Sequence, residues 1–145
     1  MPAIADLDTL LAHVQPALDP GRYAFVVLPP DVSPDPASVV ATMREPEGLS
    51  AVLAEHEAIA LGLPITFTAA WITLTLHSDL AAVGLTAAFA DVLARAGIGC
   101  NVIAGVHHDH LFVPVERAQD AMEALRALQY SAAARGESAP RATFS

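Results

Sequence analysis

Between Trp71 and Val106 the hydrophobic period changes twice, and this double change restricts the fold more than any other feature of the chain. Ile72, Leu74 and Leu76 alternate with Thr73 and Thr75, which predicts a strand with one apolar and one hydroxyl-bearing face. Leu85, Phe89, Val92, Leu93 and Ala96 then fall on one helical stripe, and Gly97 follows as the left-handed stop that helices favour. Alternation then resumes. Ile98, Cys100, Val102, Ala104 and Val106 share one side of a second strand, with Gly99, Asn101, Ile103 and Gly105 on the other.

The flanking segments extend this unit. Ile4, Leu7, Leu10, Leu11 and Val14 have helical spacing and are closed off by Pro16, Pro20 and Gly21. Residues 23–29 and 38–43 read as strands, separated by a proline-rich loop. Pro46 and Gly48 are expected to break the second of these before a helix through Leu53, Ala54, Ala58 and Leu61, although Val52–Leu53 also fits an extended strand. His107–His110 reads as a hairpin tip with Asp109 as turn former, followed by a strand and a helix from about Glu116 to Gln129. Past Tyr130 the composition predicts a disordered tail. From Trp71 onward the order β-α-β-β-α is that of an α+β, ferredoxin-like unit, an antiparallel sheet with helices on one face. MREPEGLSAVL parallels LHSDLAAVGLTAAF, so the chain divides into residues 1–69, a related half at 70–130, and a tail at 131–145.

Charge and composition remove several function classes. Seven arginines stand against sixteen acidic residues, for a formal net charge of -9, and no lysine is present. That balance argues against a nucleic-acid partner and excludes a Walker phosphate loop or a lysine Schiff base. Hydrophobic residues reach 54%, but in runs too short and too interrupted to span a bilayer. The first residues lack a basic region leading into an apolar run, and a lone Cys100 cannot form an intramolecular disulfide, so a cytoplasmic protein is expected. Ser50, Ser78 and Cys100 sit in no nucleophile elbow and beside no evident base, which predicts a non-catalytic protein without cofactor. Imidazole and carboxylate in the tract His107–His110 suit Zn or Ni, which leaves a His-cluster metal-binding protein as a further alternative. In an extended segment His107 and His108 point to opposite faces, so the spacing argues against a single tight site, no metal ligand is assigned, and a solvated hairpin tip is the plainer reading.

Glu47, Gly48, Leu49 and Ser50 in the first half, with Asp79, Gly84, Leu85 and the run Ala96–Asn101 in the second, resemble the ACT domain. The likeness is to the tandem ACT-like modules at the end of aspartate kinases and in standalone small proteins. HHDHLFVPVERAQDAMEAL matches that family's hairpin, last strand and helix, and the resemblance spans residues 22–130. It implies a regulatory module whose effector, usually an amino acid, sits where the loop after the first strand meets the second strand of a neighbouring repeat or subunit. The implied positions are Asp79, Gly84 and Leu85 on the loop and Asn101, Val102 and Ile103 on the strand. Glu47, Gly48 and Leu49 are the first-half analogues, and Asp109 is a further candidate contact. No kinase domain accompanies these modules here, so what an effector would regulate is left open.

Physics supports the loop positions. Gly84 and Leu85 fall at the start of the predicted helix, where free N–H groups and the dipole attract a carboxylate. Glycine there lets a ligand approach the backbone, and Asp79 is placed to cap the helix or take an ammonium group. The alternative is that Ser78 or Asp79 caps the helix, Gly84 packs against a strand, and the protein is a ligand-free structural or oligomerisation module. Trp71, Thr73 and Thr75 face away from the helices, so the other half or a second subunit is expected to cover them, and a homodimer is anticipated. A regulated partner protein is the other expected associate.

Overall fold

Period-two alternation builds most of the molecule. The computed structural model describes residues 7–75 and 84–138. Its strands are β1 (Gln15–Leu18), β2 (Tyr23–Leu28), β3 (Val39–Glu45), β4 (Gly48–Ala54), β5 (Phe67–Thr75), β6 (Asn101–Ala104) and β7 (Asp109–Pro114). The α-helices are α1 (Leu7–Ala12), α2 (Glu55–Ala60), α3 (Leu85–Arg95) and α4 (Ala118–Ser138). All strand pairs are antiparallel, in the order β3-β4-β2-β5-β7-β6, and β1 adds to the later part of β5. Read outward from the centre, β2-β4-β3 is repeated by β5-β7-β6. Two copies of one strand order therefore meet across the β2–β5 pair.

Along β5, Ala70, Ile72 and Leu74 point to one face and Ala69, Trp71 and Thr73 to the other. The first set joins Phe89, Leu93, Leu111 and Val113 beneath α1, α3 and α4. Leu85, Phe89 and Leu93 are only 3%, 2% and 0% exposed, so the predicted stripe is the buried one, and each side chain contributes about 1.5–3 kcal/mol of burial. The first half has a smaller core, in which Ala24, Val26 and Leu53 pack with Ala58 and Leu63.

The two short connecting helices end alike. At α3, the Ile98 N–H donates to the Leu93 carbonyl and the Gly97 N–H to that of Ala94, with Gly97 at φ 72°. At α2, Leu63 donates to Ala58 and Gly62 to Ile59, with Gly62 at φ 68°. Both are Schellman closures in which a left-handed glycine turns the chain and an apolar residue seals the end. Arg117 adds to the first by donating to the carbonyls of Ala96 and Gly97, at 3.1 and 3.4 Å.

Several expectations are corrected. Residues 48–54 do not begin a helix: Gly48–Ala54 is a strand paired with β2 on one side and β3 on the other, and helix is confined to Glu55–Ala60. Pro46 and Glu47 form the two-residue turn of a β3–β4 hairpin, so MREPEGLSAVL is not the counterpart of the strand–turn–helix around Gly84. Gln15–Leu18 is extended, and Pro16 is tolerated because β1, among the described residues, pairs with β5 alone. The last helix does not stop near Gln129. Ala132 is fully buried, Gln129 donates to the Ala12 carbonyl, and Arg135 pairs with Asp8 at 2.9 Å, so the expected tail begins as helix through Ser138 and packs on α1 as far as Arg135, while residues 139–145 lie outside the described residues. The β6–β7 turn is made by residues 105–108, closed by Gly105 N–H to the His108 carbonyl at 2.9 Å, while Asp109 lies in β7 opposite Ala104 and Leu74. Val106, expected on the packed side of its strand, is 76% exposed beyond the end of β6.

The other sheet face is covered from within the chain. Ala69 and Phe112 are fully buried there, packed with Tyr23, Phe25, Phe67 and Trp71. Tyr23 meets Trp71 edge-on at 5.3 Å, Phe25 meets Phe112 at 5.5 Å, and Trp71 stacks on Phe112 at 6.1 Å. Burial first, and then the hydrogen bond to Asp19, pushes the Tyr23 hydroxyl up to about 12. Ala41 of edge strand β3 and Ile103 of edge strand β6 line one cavity together, so the sheet curls until its margins approach and this face is concave.

Candidate functional site

The direction of each element decides which candidate residues can meet. β5 and β6 run parallel, both antiparallel to β7, so the ends of β5 and β6 lie at one edge of the fold with the start of β7. Arg117, just past the opposite end of β7, grips the C-terminal carbonyls of α3. The N-terminus of α3 therefore lies at the sheet end that carries Leu74, Ala104 and Asp109.

Gly84 is the N-cap of α3, at φ 91°, and makes no side-chain cap hydrogen bond. Glycine suits that left-handed turn, and its bare Cα faces Leu7, whose Cδ2 would stand 3.6 Å from a Cβ. The first helical bond runs from Ala88 N–H to the Gly84 carbonyl at 3.0 Å. Upstream of it, the Leu85, Thr86 and Ala87 amides lie in the turn that lacks intrahelical acceptors. Leu85 itself is core, so it offers only main chain, whereas Thr86 is exposed beside it. Asp79 and Ser78, the expected caps, lie outside the described residues.

β6 is an edge strand. The Gly105–His108 bond sets the antiparallel alternation, so Ile103 and Asn101 direct their main-chain groups toward His110 and Phe112. Val102 and Ala104 then present theirs to the outer edge. Val102 packs its side chain on the helix-side core, and Ile103 points to the concave face. Asn101 is exposed on the Trp71–Phe112 rung, three residues below Ala104, or roughly 10 Å along the strand. The α3 front thus shares its sheet end with Ala104 and Asp109, with Val102 next along the edge and Asn101 and Ile103 further down. Ala104 went unassigned in the sequence because the outward direction of its main-chain groups is set by register, which residue type does not encode.

Glu47, Gly48 and Leu49 are brought to neither helix front nor β6. They line a broad groove of about 840 Å³ with Val27 and Pro29, Pro30 and Pro34. By topology the first-half counterpart of the Gly84 region is the segment from Pro29 to Ser38, which ends in a single 3-10 turn at Pro36–Ser38. Its front is closed by its own side chains: Asp35 accepts from the Ala37 N–H at 3.0 Å, and the Asp35 N–H donates to Glu57 at 2.6 Å.

His110 is not a solvated tip residue. The Trp71 indole N–H donates to its Nδ1 at 3.0 Å, and Thr73 Oγ1 lies 3.3 Å from the same nitrogen. An indole only donates, so Nδ1 is the acceptor and the neutral ring carries its proton on Nε2. Burial, then repulsion from His108, lowers its pKa from the ordinary value, against a weaker pull from Asp109. Among the described residues no group of three His, Cys, Asp or Glu side chains is placed to hold a metal ion. Cys100 is half-buried and burial raises its thiol pKa, which suits an inert packing residue. No described helix is long and apolar enough to cross a membrane.

Residues 2–70 match one model of the ACT domain and residues 66–127 match a second. A protein of unknown function from Vibrio cholerae, described as a possible transport protein, is 44% identical over 85% of this chain and 95% of its own, with a TM-score of 0.74. Aspartokinase III of Escherichia coli, in complex with aspartate and ADP, is 14% identical over 79% of this chain and 33% of its own, with a TM-score of 0.57. The ligand-free regulatory subunit of aspartate kinase from Thermus thermophilus is 12% identical over 78% of this chain and 95% of its own, with a TM-score of 0.56. At those identities the two kinase likenesses speak to fold alone. No curated protein sequence matches the chain. ACT domains are typically small-molecule-binding, non-catalytic regulatory modules that often oligomerise. Two model matches in tandem, a 44% identical structural relative and the repeated strand order lead to one conclusion: the chain belongs to the ACT domain family.

Proposed function

We propose that this protein is a cytoplasmic, non-catalytic regulatory module that binds an amino acid at the front of α3. The carboxylate takes the uncapped amides of the first helical turn, where the dipole favours an anion. The ammonium group and side chain lie toward Asp109 and the outer edge of β6, where Val102 and Ala104 offer main-chain groups; Asp79 is the remaining candidate for the ammonium. Asn101 and Ile103 belong to this reading only as contacts further along the strand or to a second subunit. The outer edge of β6 is where a homodimer partner would complete the site, and the regulated target is a partner protein or the assembly itself. The observation that carries the reading is the Gly84 N-cap, which has no side chain to offer the α3 front an acceptor; among the described residues no other side chain caps it.

The first half supports a narrower version. Asp35 already occupies its equivalent turn, so Glu47, Gly48 and Leu49 are not assigned a second amino-acid site of the same kind.

A thermal-shift series with the twenty amino acids tests this reading. A ligand that binds only the folded chain stabilises it by about 2.7 kcal/mol at a hundredfold excess over Kd. Thr86→Glu puts a carboxylate in the exposed first turn, which stabilises the helix front yet repels the ligand's own carboxylate. The expected result is a shift with one or a few amino acids that disappears in Thr86→Glu, while the unliganded Tm holds or rises. No shift at millimolar concentration in a folded sample would contradict the proposal.

A further inference from the structure

The concave face of the sheet, on the opposite side from α3, holds a hollow of about 430 Å³ that the amino-acid site does not use. Its walls are apolar: Phe25, Val52, Ala41 and, from the far margin, Ile103. Val27 and Met43 border it and are 53% and 66% exposed. A smaller cavity of about 240 Å³ shares Ala41 and Ile103 with it and reaches Trp71. Hollows of this size and lining are typical of small-molecule sites, and apolar walls with few hydrogen-bonding partners hold water poorly.

One end is different. Glu45 and Ser50 lie there, and the Ser50 hydroxyl donates to one Glu45 carboxylate oxygen. Among the described residues Glu45 forms no ion pair, and Arg44, its neighbour in the chain, projects from the other face of β3. A carboxylate with no counter-charge beside an apolar wall selects a cation that can bring apolar surface with it. The excess of acidic over basic residues acts in the same direction at longer range.

We propose that this hollow binds a small molecule with an apolar body and one ammonium end, the body lying between Phe25, Val52 and Ile103 and the ammonium on Glu45. Amino acids are poor occupants, because their carboxylate would enter a space lined by apolar atoms and a second carboxylate. The site is therefore separate from the α3 front in position and in charge selectivity.

Trp71 is the sole tryptophan of the chain and lines the adjoining cavity, so its fluorescence reports occupancy. Hexylamine, hexanol and hexanoate, matched in length and titrated at constant ionic strength, separate charge from apolar bulk. The expected result is a saturable change with hexylamine at least tenfold tighter than with hexanoate, with hexanol between them. Glu45→Gln, at an exposed position, should bring the amine to the level of the alcohol. Thr86→Glu should leave amine binding unchanged, which keeps failure here distinct from failure at the α3 front. Amide shifts at Ala41, Met43, Ser50 and Ile103 should accompany the fluorescence change. Equal binding of the three probes, indifference to Glu45→Gln, or a response explained by dimerisation on this face would overturn the proposal.

Discussion

The two halves of the molecule share a strand order and differ in what joins their first two strands. Between β5 and β6 stands α3, eleven residues long, whereas between β2 and β3 stands a loop with one three-residue 3-10 turn. Pro29, Pro30, Pro34 and Pro36 account for the difference, since each removes a main-chain donor and four within eight residues leave no room for a helix. The consequence is chemical as well as architectural. A three-residue turn has little dipole, and Asp35 satisfies its front, while no side chain among the described residues caps the α3 front. Packing follows the same division. Three helices cover the second half, two of them from the chain ends, and α2 covers the first. Duplicated topology therefore does not entail duplicated local structure: here the second half alone keeps a helix between its first two strands, and both halves supply the aromatic lining of the shared concave face.

This contrast can be broken at several points. Phe89→Asp should have the largest effect, because it removes a fully packed side chain and buries a charge; loss of about 4 kcal/mol or more, close to the whole stability of a small domain, predicts an unfolded protein by circular dichroism. A folded Phe89→Asp protein would mean that α3 faces the other way. Ala132→Leu comes next. If α4 docks on α1 past Gln129, overpacking at this fully buried position should cost about 1–3 kcal/mol in chemical denaturation, and a neutral result would restore the tail that composition suggested. Gly62→Ala and Gly97→Ala compare the halves directly. Neither added Cβ meets an atom within 4 Å, so each should cost only the left-handed strain of about 1–2 kcal/mol, and equally. A marked inequality would show that the two helix ends are not equivalent.

The smallest effect is pH-dependent. Because the His110 pKa is lowered in the fold, the unfolded chain takes up a proton first as pH falls below 6.5, the ordinary imidazole value. Stability should therefore be full above that pH, decline below it, and stop declining once His110 also protonates in the folded protein. Protonation at Nδ1 breaks the hydrogen bond from Trp71, so Trp71 fluorescence should change in step, with a midpoint below 6.5. His110→Phe should abolish the fluorescence step.

What could be read from the sequence follows from how local each signal is. The strand, helix and second strand around α3 were legible because Leu85, Phe89 and Leu93 repeat at one period and Ile72 and Leu74 at another. GLSAVLA was not, since Ala51 and Leu53 fit a strand while Leu53, Ala58 and Leu61 fit a helix. Pairing with β2 and β3, which are distant in sequence, decides it. The same holds for Gln15–Leu18, where a proline suggested a stop and an edge position beside β5 accommodates it. Of the candidate site, the Gly84 turn was legible from glycine followed by a helical stripe. The Asp35 cap, the outward direction of Ala104 and the hollow beside Glu45 depend on register and sheet curl, which no short motif carries.

The central claim is that one half alone presents a vacant helix front for an amino acid. A titration of the ¹⁵N-labelled chain with the amino acid that raises Tm tests it most directly, read as amide shifts. The account predicts saturation at one ligand per chain, with the largest shifts at Leu85, Thr86 and Ala87 and along Val102–Ala104. Shifts centred on residues 31–39, saturation at two per chain, or an undisturbed α3 front would contradict it.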